Sequence, residues 1–452
     1  MRKVVISVKD FFSKGHERTV TVKKNIFLSF IIKCGSVLIS LLSVPLAIRY
    51  VNPTQYGVWL TLSALFTWFS LFDIGFGNGL KNKLTKALAE NDYKLARIYV
   101  STTYVIIAVI SAALFGIFLI ADQFLDWSKI LNVPAYMSQE LNLVVILVFS
   151  IFSIQFVLQL LNIICFARQN TIITSLVGFF GNLLGLIIVF ILTKTTHGSL
   201  YYLCLSIGIS PLLVLLIFSI VLFSGPYKAL APSFRLADLS YAKDIMHLGV
   251  KFFIIQVGLI FYYNCDNLII TQIKGPQSVT PYNIAFKYFG VISVISNILI
   301  TPFWSAFTEA DAKKDYEWIK RTVRKLEKIC GLIFIVSLVM LAASSFIYHL
   351  WLGNDVVIPF SLSAVVAFYT VLLTYRTIFN YYMNGVGKIM LQLYLVIFSG
   401  IVNIPLGIFL CRLMGATGVI LSTTLLCIVS AFFEIAQYRK LIGNTATGIW
   451  NK

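Results

Sequence analysis

Six ionisable residues fall inside long apolar runs of this 452-residue chain: Lys33, Lys251, Lys287 and Arg376, with Asp73 and Asp266. A charge at the centre of a membrane-spanning helix costs ~2.5–3.5 kcal/mol, so such residues normally face a watery cavity or a partner. Four positive charges against two negative suit an anion such as phosphate or pyrophosphate. Helical spacing arranges three of the six. Lys33 shares a small, polar stripe with Ser29, Ser36, Ser40, Ser43 and Ala47; Lys287 shares one with Asn283, Gly290, Asn297 and Trp304; Asp73 shares a face with Ser63, Ser70 and Gly77. Each stripe has a plainer reading. Small residues also let helices pack closely, and a lysine near a span end can snorkel to a headgroup, a reading that fits Lys251 as well as function does. Asp266 and Arg376 could be an internal pair holding the second half of the chain together.

The elements that must position these residues are membrane helices. Composition is 59% hydrophobic and 12% charged, with mean hydropathy +0.88, far from a soluble domain. A bilayer core of ~30 Å needs ~20 apolar residues in a helix. Runs of that length predict about twelve spans, near 26–48, 54–80, 97–121, 141–166, 171–193, 201–223, 245–273, 281–307, 328–350, 356–384, 389–411 and 417–438. The expected class is an all-α polytopic membrane protein with two six-helix bundles, 26–223 and 245–438. A basic segment at 1–25, a linker at 224–244 and a tail at 439–452 complete it.

The net charge of +18 is spread by loop rather than gathered into a nucleic-acid patch. With the N-terminus inside, 27 Lys and Arg fall on the cytoplasmic side against five outside, Arg49, Lys129, Lys194, Lys274 and Arg412. The positive-inside rule therefore places both termini in the cytoplasm. The apolar run after the basic N-terminus is longer than a signal-peptide core and is read as retained.

The halves echo each other in order. Pro53 and Pro276 are 223 residues apart, Asp92 and Asp315 also 223, and Asn182 and Asn403 221. An even number of spans per half makes the repeats parallel, related by a pseudo-two-fold axis along the membrane normal, with a cavity between bundles. That is a recurrent design of secondary transporters.

Enzyme signatures are missing from the sequence: there is no Walker A, H-E-x-x-H or Cys-x-x-Cys motif. The seven cysteines all fall in apolar spans and suggest neither a disulfide framework nor a metal site. The segment from about Glu309 to Lys328 reads as a basic amphipathic helix on anionic lipid, or as a solvated face.

The stretch Tyr50-Val51-Asn52-Pro53-Thr54-Gln55-Tyr56-Gly57-Val58-Trp59, followed by Asp73-Ile74-Gly75-Phe76-Gly77-Asn78-Gly79-Leu80 and Asn91-Asp92, resembles the N-terminal signature of bacterial polysaccharide flippases. These are the O-antigen and capsule repeat-unit translocases of the multidrug/oligosaccharidyl-lipid/polysaccharide exporter superfamily. Asp266-Asn267, Gly275-Pro276, Tyr282-Asn283 and Asn384-Gly385-Val386-Gly387-Lys388 agree. The resemblance implies a MATE-like fold in the bacterial inner membrane, moving undecaprenyl-pyrophosphate-linked oligosaccharide by alternating access. It implies no cofactor beyond coupling to H⁺ or Na⁺, and as partners membrane lipids, a polysaccharide polymerase and a chain-length regulator. Asp73, Gly75 and Gly77 carry over as gate elements, with Asp266 assigned to gating or coupling. The substrate-binding set of Lys33, Lys251, Lys287 and Arg376 rests on position and stripe, not on a family motif. A multidrug exporter of the same superfamily would use acidic residues for cationic drugs, opposite to the sign found here. A polymerase or ligase would need a sizeable outer loop, and the longest, about Asp122–Glu140, is short.

Overall fold

The computed structural model describes residues 17–67, 76–134, 137–168, 170–245, 265–301 and 303–452. Every long element there is an α-helix: α1 Glu17–Val51, α2 Pro53–Thr67, α3 Phe76–Ala89, α4 Tyr93–Asp122, α5 Ser138–Leu158, α6 Leu160–Ala167, α7 Thr171–Thr195 and α8 Leu200–Ser224. After them come α9 Asp266–Lys274, α10 Val279–Ile300, α11 Phe303–Ala312, α12 Tyr316–Leu352, α13 Phe360–Val386, α14 Met390–Met414 and α15 Ala416–Ile442. Among the described residues nine helical spans are long and apolar enough to cross a bilayer. Their outer faces carry exposed side chains such as Leu42, Ile120, Phe346 and Phe432, as expected where the solvent is hydrocarbon. The fold is that of a multi-span, all-α membrane protein.

Three expectations differ in detail. Residues 68–75 of the span expected over 54–80 lie outside the described residues; past its expected end, α3 runs on to Ala89, so Lys81, Lys83 and Lys86 are helical rather than in a loop. The span expected over 281–307 stops at Ile300, and α11 begins at Phe303. The third change concerns the basic segment before residue 328. It is not a separate helix lying on the membrane: α12 begins at Tyr316 and continues unbroken to Leu352.

The chain forms two compact units. The first gathers nearly all of α1 with α3, α4 and α5–α8. Its core packs Leu80 and Leu84 of α3, Val100 of α4, Leu160, Leu161 and Ile164 of α6, and Val214 and Leu215 of α8. Gly79 explains one feature of the sequence motif, because a Cβ there would come within 2.1 Å of the Ile245 carbonyl oxygen. Only glycine lets α3 approach that backbone.

The second unit holds α2 and α9–α15. A Cβ on Gly57 of α2 would lie 1.9 Å from the Pro276 carbonyl oxygen, the same device used again. Around this contact Thr280 Oγ1 donates to the Pro53 carbonyl at 2.6 Å, and the Thr61 and Thr271 hydroxyls share a hydrogen bond of 2.7 Å. One cluster in this unit centres on Tyr282, Phe289, Val366 and Cys427, and another on Phe307, Phe379 and Tyr382.

Each unit contains the same turn. Asn91 and Lys314 have left-handed φ of 59° and 57°. The next residue's N–H reaches back to the preceding helix, Asp92 to the Ala87 carbonyl and Asp315 to the Ala310 carbonyl, both at 2.9 Å. Each aspartate then caps the helix that follows: Asp92 Oδ1 accepts from the Leu95 N–H at 2.9 Å, and Asp315 Oδ1 from the Trp318 N–H at 3.0 Å. A Schellman ending thus runs directly into an N-cap, twice.

Candidate functional site

In the second unit a cavity of about 200 Å³ is lined by Ala64, Asp266, Asn267, Tyr282, Asn283, Phe286, Tyr369 and Thr423. Asp266 is the first residue of α9, where the helix dipole favours a carboxylate. It is 4% exposed. Its Oδ2 accepts a hydrogen bond from the Tyr282 hydroxyl, and the Asn403 side chain also approaches the carboxylate as a hydrogen-bond partner.

Carboxamides and hydroxyls of the wall and just behind it are tied together, beside the apolar Ala64 and Phe286. Asn283 Nδ2 donates to Asn267 Oδ1 at 2.9 Å and to the Val279 carbonyl at 3.0 Å, and Asn267 Nδ2 donates to the Leu60 carbonyl at 3.3 Å. Asn403 of α14 is fully buried; its Oδ1 accepts from Ser422 Oγ at 2.8 Å and Thr423 Oγ1 at 3.2 Å. The site thus combines one carboxylate, several neutral oxygens and an aromatic hydroxyl, a donor set suited to a proton or a small hard cation. It offers nothing resembling a nucleophile with its base. Among the described residues no group of three His, Cys, Asp or Glu side chains gathers as a metal site.

The expected site residues are distributed as follows. Lys33 is exposed on α1 in the first unit, and one turn along Ser36 Oγ accepts from Asn182 Nδ2 at 2.7 Å. Part of that stripe is therefore a helix contact. Lys287 is half-buried on α10, one turn from Asn283 of the cavity wall, with no ion pair among the described residues. Gly77 is buried in the first turn of α3. Lys251, Asp73 and Gly75 lie outside the described residues.

Asp266 and Arg376 do not pair. Arg376 is instead bound to Glu434 of α15, Nε to Oε2 at 2.9 Å and Nη2 to Oε1 at 2.5 Å, with Nη1 3.3 Å from Cys427 Sγ. Its partner escaped the sequence reading because Glu434 lies close to the expected end of the last span. The available signal was the need of a buried guanidinium for a carboxylate. Tyr282 was noted only as part of a motif. Its role follows from α9 and α10 folding back on each other through the 3₁₀ turn at Pro276–Ser278.

The helical architecture is a MATE-like fold. The structure overlays on an inward-facing multidrug resistance MATE family transporter of the MOP superfamily with TM-score 0.77 and 14% identity, covering 91% of this chain and 95% of that one. An outward-facing transporter of the same description gives TM-score 0.65 at 14% identity, covering 96% and 98%. Residues 22–308 match the family described as polysaccharide biosynthesis protein, and residues 252–409 match the MatE family. A Yersinia pseudotuberculosis protein described as an O-antigen export protein is 22% identical over 372 residues, 78% of this chain and 81% of that one. The chain belongs to the polysaccharide biosynthesis protein family.

Proposed function

We propose that this protein flips undecaprenyl-pyrophosphate-linked oligosaccharide repeat units across the bacterial inner membrane by alternating access, with both termini in the cytoplasm. The match to the polysaccharide biosynthesis family over residues 22–308 carries this reading. The O-antigen export relative and the intramembrane lysines Lys33, Lys251 and Lys287 support it. Lys33 and Lys287 contact the substrate pyrophosphate, with Lys251 as a further cation on the path. Asp73, Gly75 and Gly77 belong to the gate. Arg376, its donors taken by Glu434 and Cys427, serves the substrate by holding α13 on α15. Asp266, facing the cavity with Tyr282, is the coupling residue, taking up and releasing H⁺ or Na⁺. A polymerase and a chain-length regulator use the delivered units.

The test is a strain lacking the gene, assayed for surface glycan and for lipid-linked repeat units retained in the inner leaflet. Loss of the first with accumulation of the second is expected, both reversed by the wild-type gene. Unchanged glycan together with increased sensitivity to cationic drugs would replace this reading with multidrug export.

A further inference from the structure

Helix α12 is longer than a membrane needs. Its 37 residues extend to about 55 Å at ~1.5 Å per residue, against a hydrocarbon core of ~30 Å. Its apolar part, Gly331 to Leu352, matches the core by itself at roughly 33 Å. The remainder, Tyr316 to Cys330, must therefore stand in and beyond the headgroup layer at that end.

The outward face changes character at this boundary. Along the apolar part it exposes Leu332 (62%), Ile335 (58%), Val339 (63%), Phe346 (71%) and Leu350 (73%). The same face continues upward through Lys328, Lys325, Arg324 and Arg321, all exposed. Their spacing is helical, so the four cations form one column about 10 Å tall. The opposite face buries Ile319, Thr322, Val323, Leu326 and Cys330.

Glu317 is near enough to attract Arg321 and Arg324, but among the described residues no acid of this segment forms an ion pair with the column. Glu327 turns aside to accept from the Tyr375 hydroxyl at 3.2 Å. Glu317, above the column, is held by Lys320 at 2.9 Å. Arg321 spends one weak bond on its own helix, Nε to the Glu317 carbonyl at 3.4 Å. Four cations directly above a lipid-facing apolar stripe sit where phosphate groups of the adjoining leaflet lie.

The geometry points to a site for anionic phospholipid headgroups on this column, Arg321, Arg324, Lys325 and Lys328, with the acyl chains against Leu332, Ile335 and Val339 below. Two arginines supply forked donors for phosphate oxygens, and the lysines add point charges. The stripe is not a general solubilising surface, since it runs directly into hydrocarbon-facing residues.

The test is native mass spectrometry of the full-length protein released from micelles containing equal amounts of phosphatidylglycerol and phosphatidylcholine. A cation near an anionic surface is worth about fivefold in partitioning. Wild-type protein should retain phosphatidylglycerol about tenfold or more over phosphatidylcholine, and R321Q/R324Q/K325Q/K328Q should approach parity. A control variant, K81Q/K86Q/K94Q/R235Q, removes four exposed cations from the first unit and should keep the preference. If the quadruple variant melts in detergent well below wild type, the pairs R321Q/R324Q and K325Q/K328Q replace it, each expected to lose part of the preference. An unchanged preference in the column variants, an equal loss in the control, or retention of polyprenyl pyrophosphate in place of phosphatidylglycerol would overturn the proposal.

Discussion

Arg376 and Glu434 meet in a two-pronged ion pair inside the second unit, their side chains only 7% and 1% exposed. The pair ties the middle of α13 to the last turns of α15. Removing one partner leaves the other charge buried and uncompensated, at a cost of about 3–5 kcal/mol. Glu434→Gln and Arg376→Met should therefore each lower the melting temperature in detergent sharply. Arg376→Met combined with Glu434→Leu should recover much of the loss, because an apolar pair has no desolvation cost to offset.

Gly57 and Gly79 leave no room for a side chain. Gly57→Ala and Gly79→Ala each put a methyl group against a carbonyl oxygen, at 1.9 and 2.1 Å, so a helix must shift. Overpacking of this kind costs about 1–3 kcal/mol. Thermal melts should show both variants destabilised, whereas Ala at Gly290, with open space around its Cβ position, should be nearly neutral.

The proposed coupling role of Asp266 is tested by changing its carboxylate and the Tyr282 hydroxyl separately. Asp266→Asn should abolish ion-driven export while the protein remains inserted at normal abundance. Tyr282→Phe removes only the hydroxyl that donates to Asp266 and should change the pH or Na⁺ dependence of export rather than stop it. Export by Asp266→Asn at the wild-type rate would remove coupling from this site.

Lys33 and Lys287 are tested by charge reversal. Lys33→Glu and Lys287→Glu should each stop export of lipid-linked glycan, and Arg should be tolerated better than Ala at either position, since charge-assisted bonds to pyrophosphate survive in arginine. In the proposed mechanism both act on one step, so the double variant should be little worse than either single one. Wild-type export by both reversed variants would exclude these lysines while leaving the family membership intact.

Orientation has its own measurement. A cysteine at Lys320, in the first turns of α12, should resist an impermeant thiol reagent added outside intact cells and react after permeabilisation, as the distribution of basic residues requires.

Features set by local chemistry were legible in the sequence, and features set by tertiary contact were not. Span positions follow from apolar length alone, which is why the helices at Thr171–Thr195 and Leu200–Ser224 lie close to 171–193 and 201–223. The echo of Asp92 by Asp315 proved to be a shared cap, because capping is decided within a few residues. Partnerships across helices were hidden. Arg376 was visibly a buried cation, but whether Asp266 or Glu434 answers it depends on how α13, α9 and α15 pack, which periodicity does not encode. The segment from about Glu309 to Lys328 reads in the sequence as a basic amphipathic helix on anionic lipid or as a solvated face, and its continuity with the following span is not legible there. Backbone continuity does not follow composition, and α12 carries straight through.

The twin turns at Asn91-Asp92 and Lys314-Asp315 close with hydrogen bonds drawn from a short neighbouring stretch, Ala87 to Ala96 in one and Ala310 to Ile319 in the other. Neither reversal waits for a distant segment. During synthesis each hairpin can set its direction as soon as those ten residues have left the ribosome, before the helices that will enclose it exist. The gene therefore carries two self-sufficient instructions for turning back.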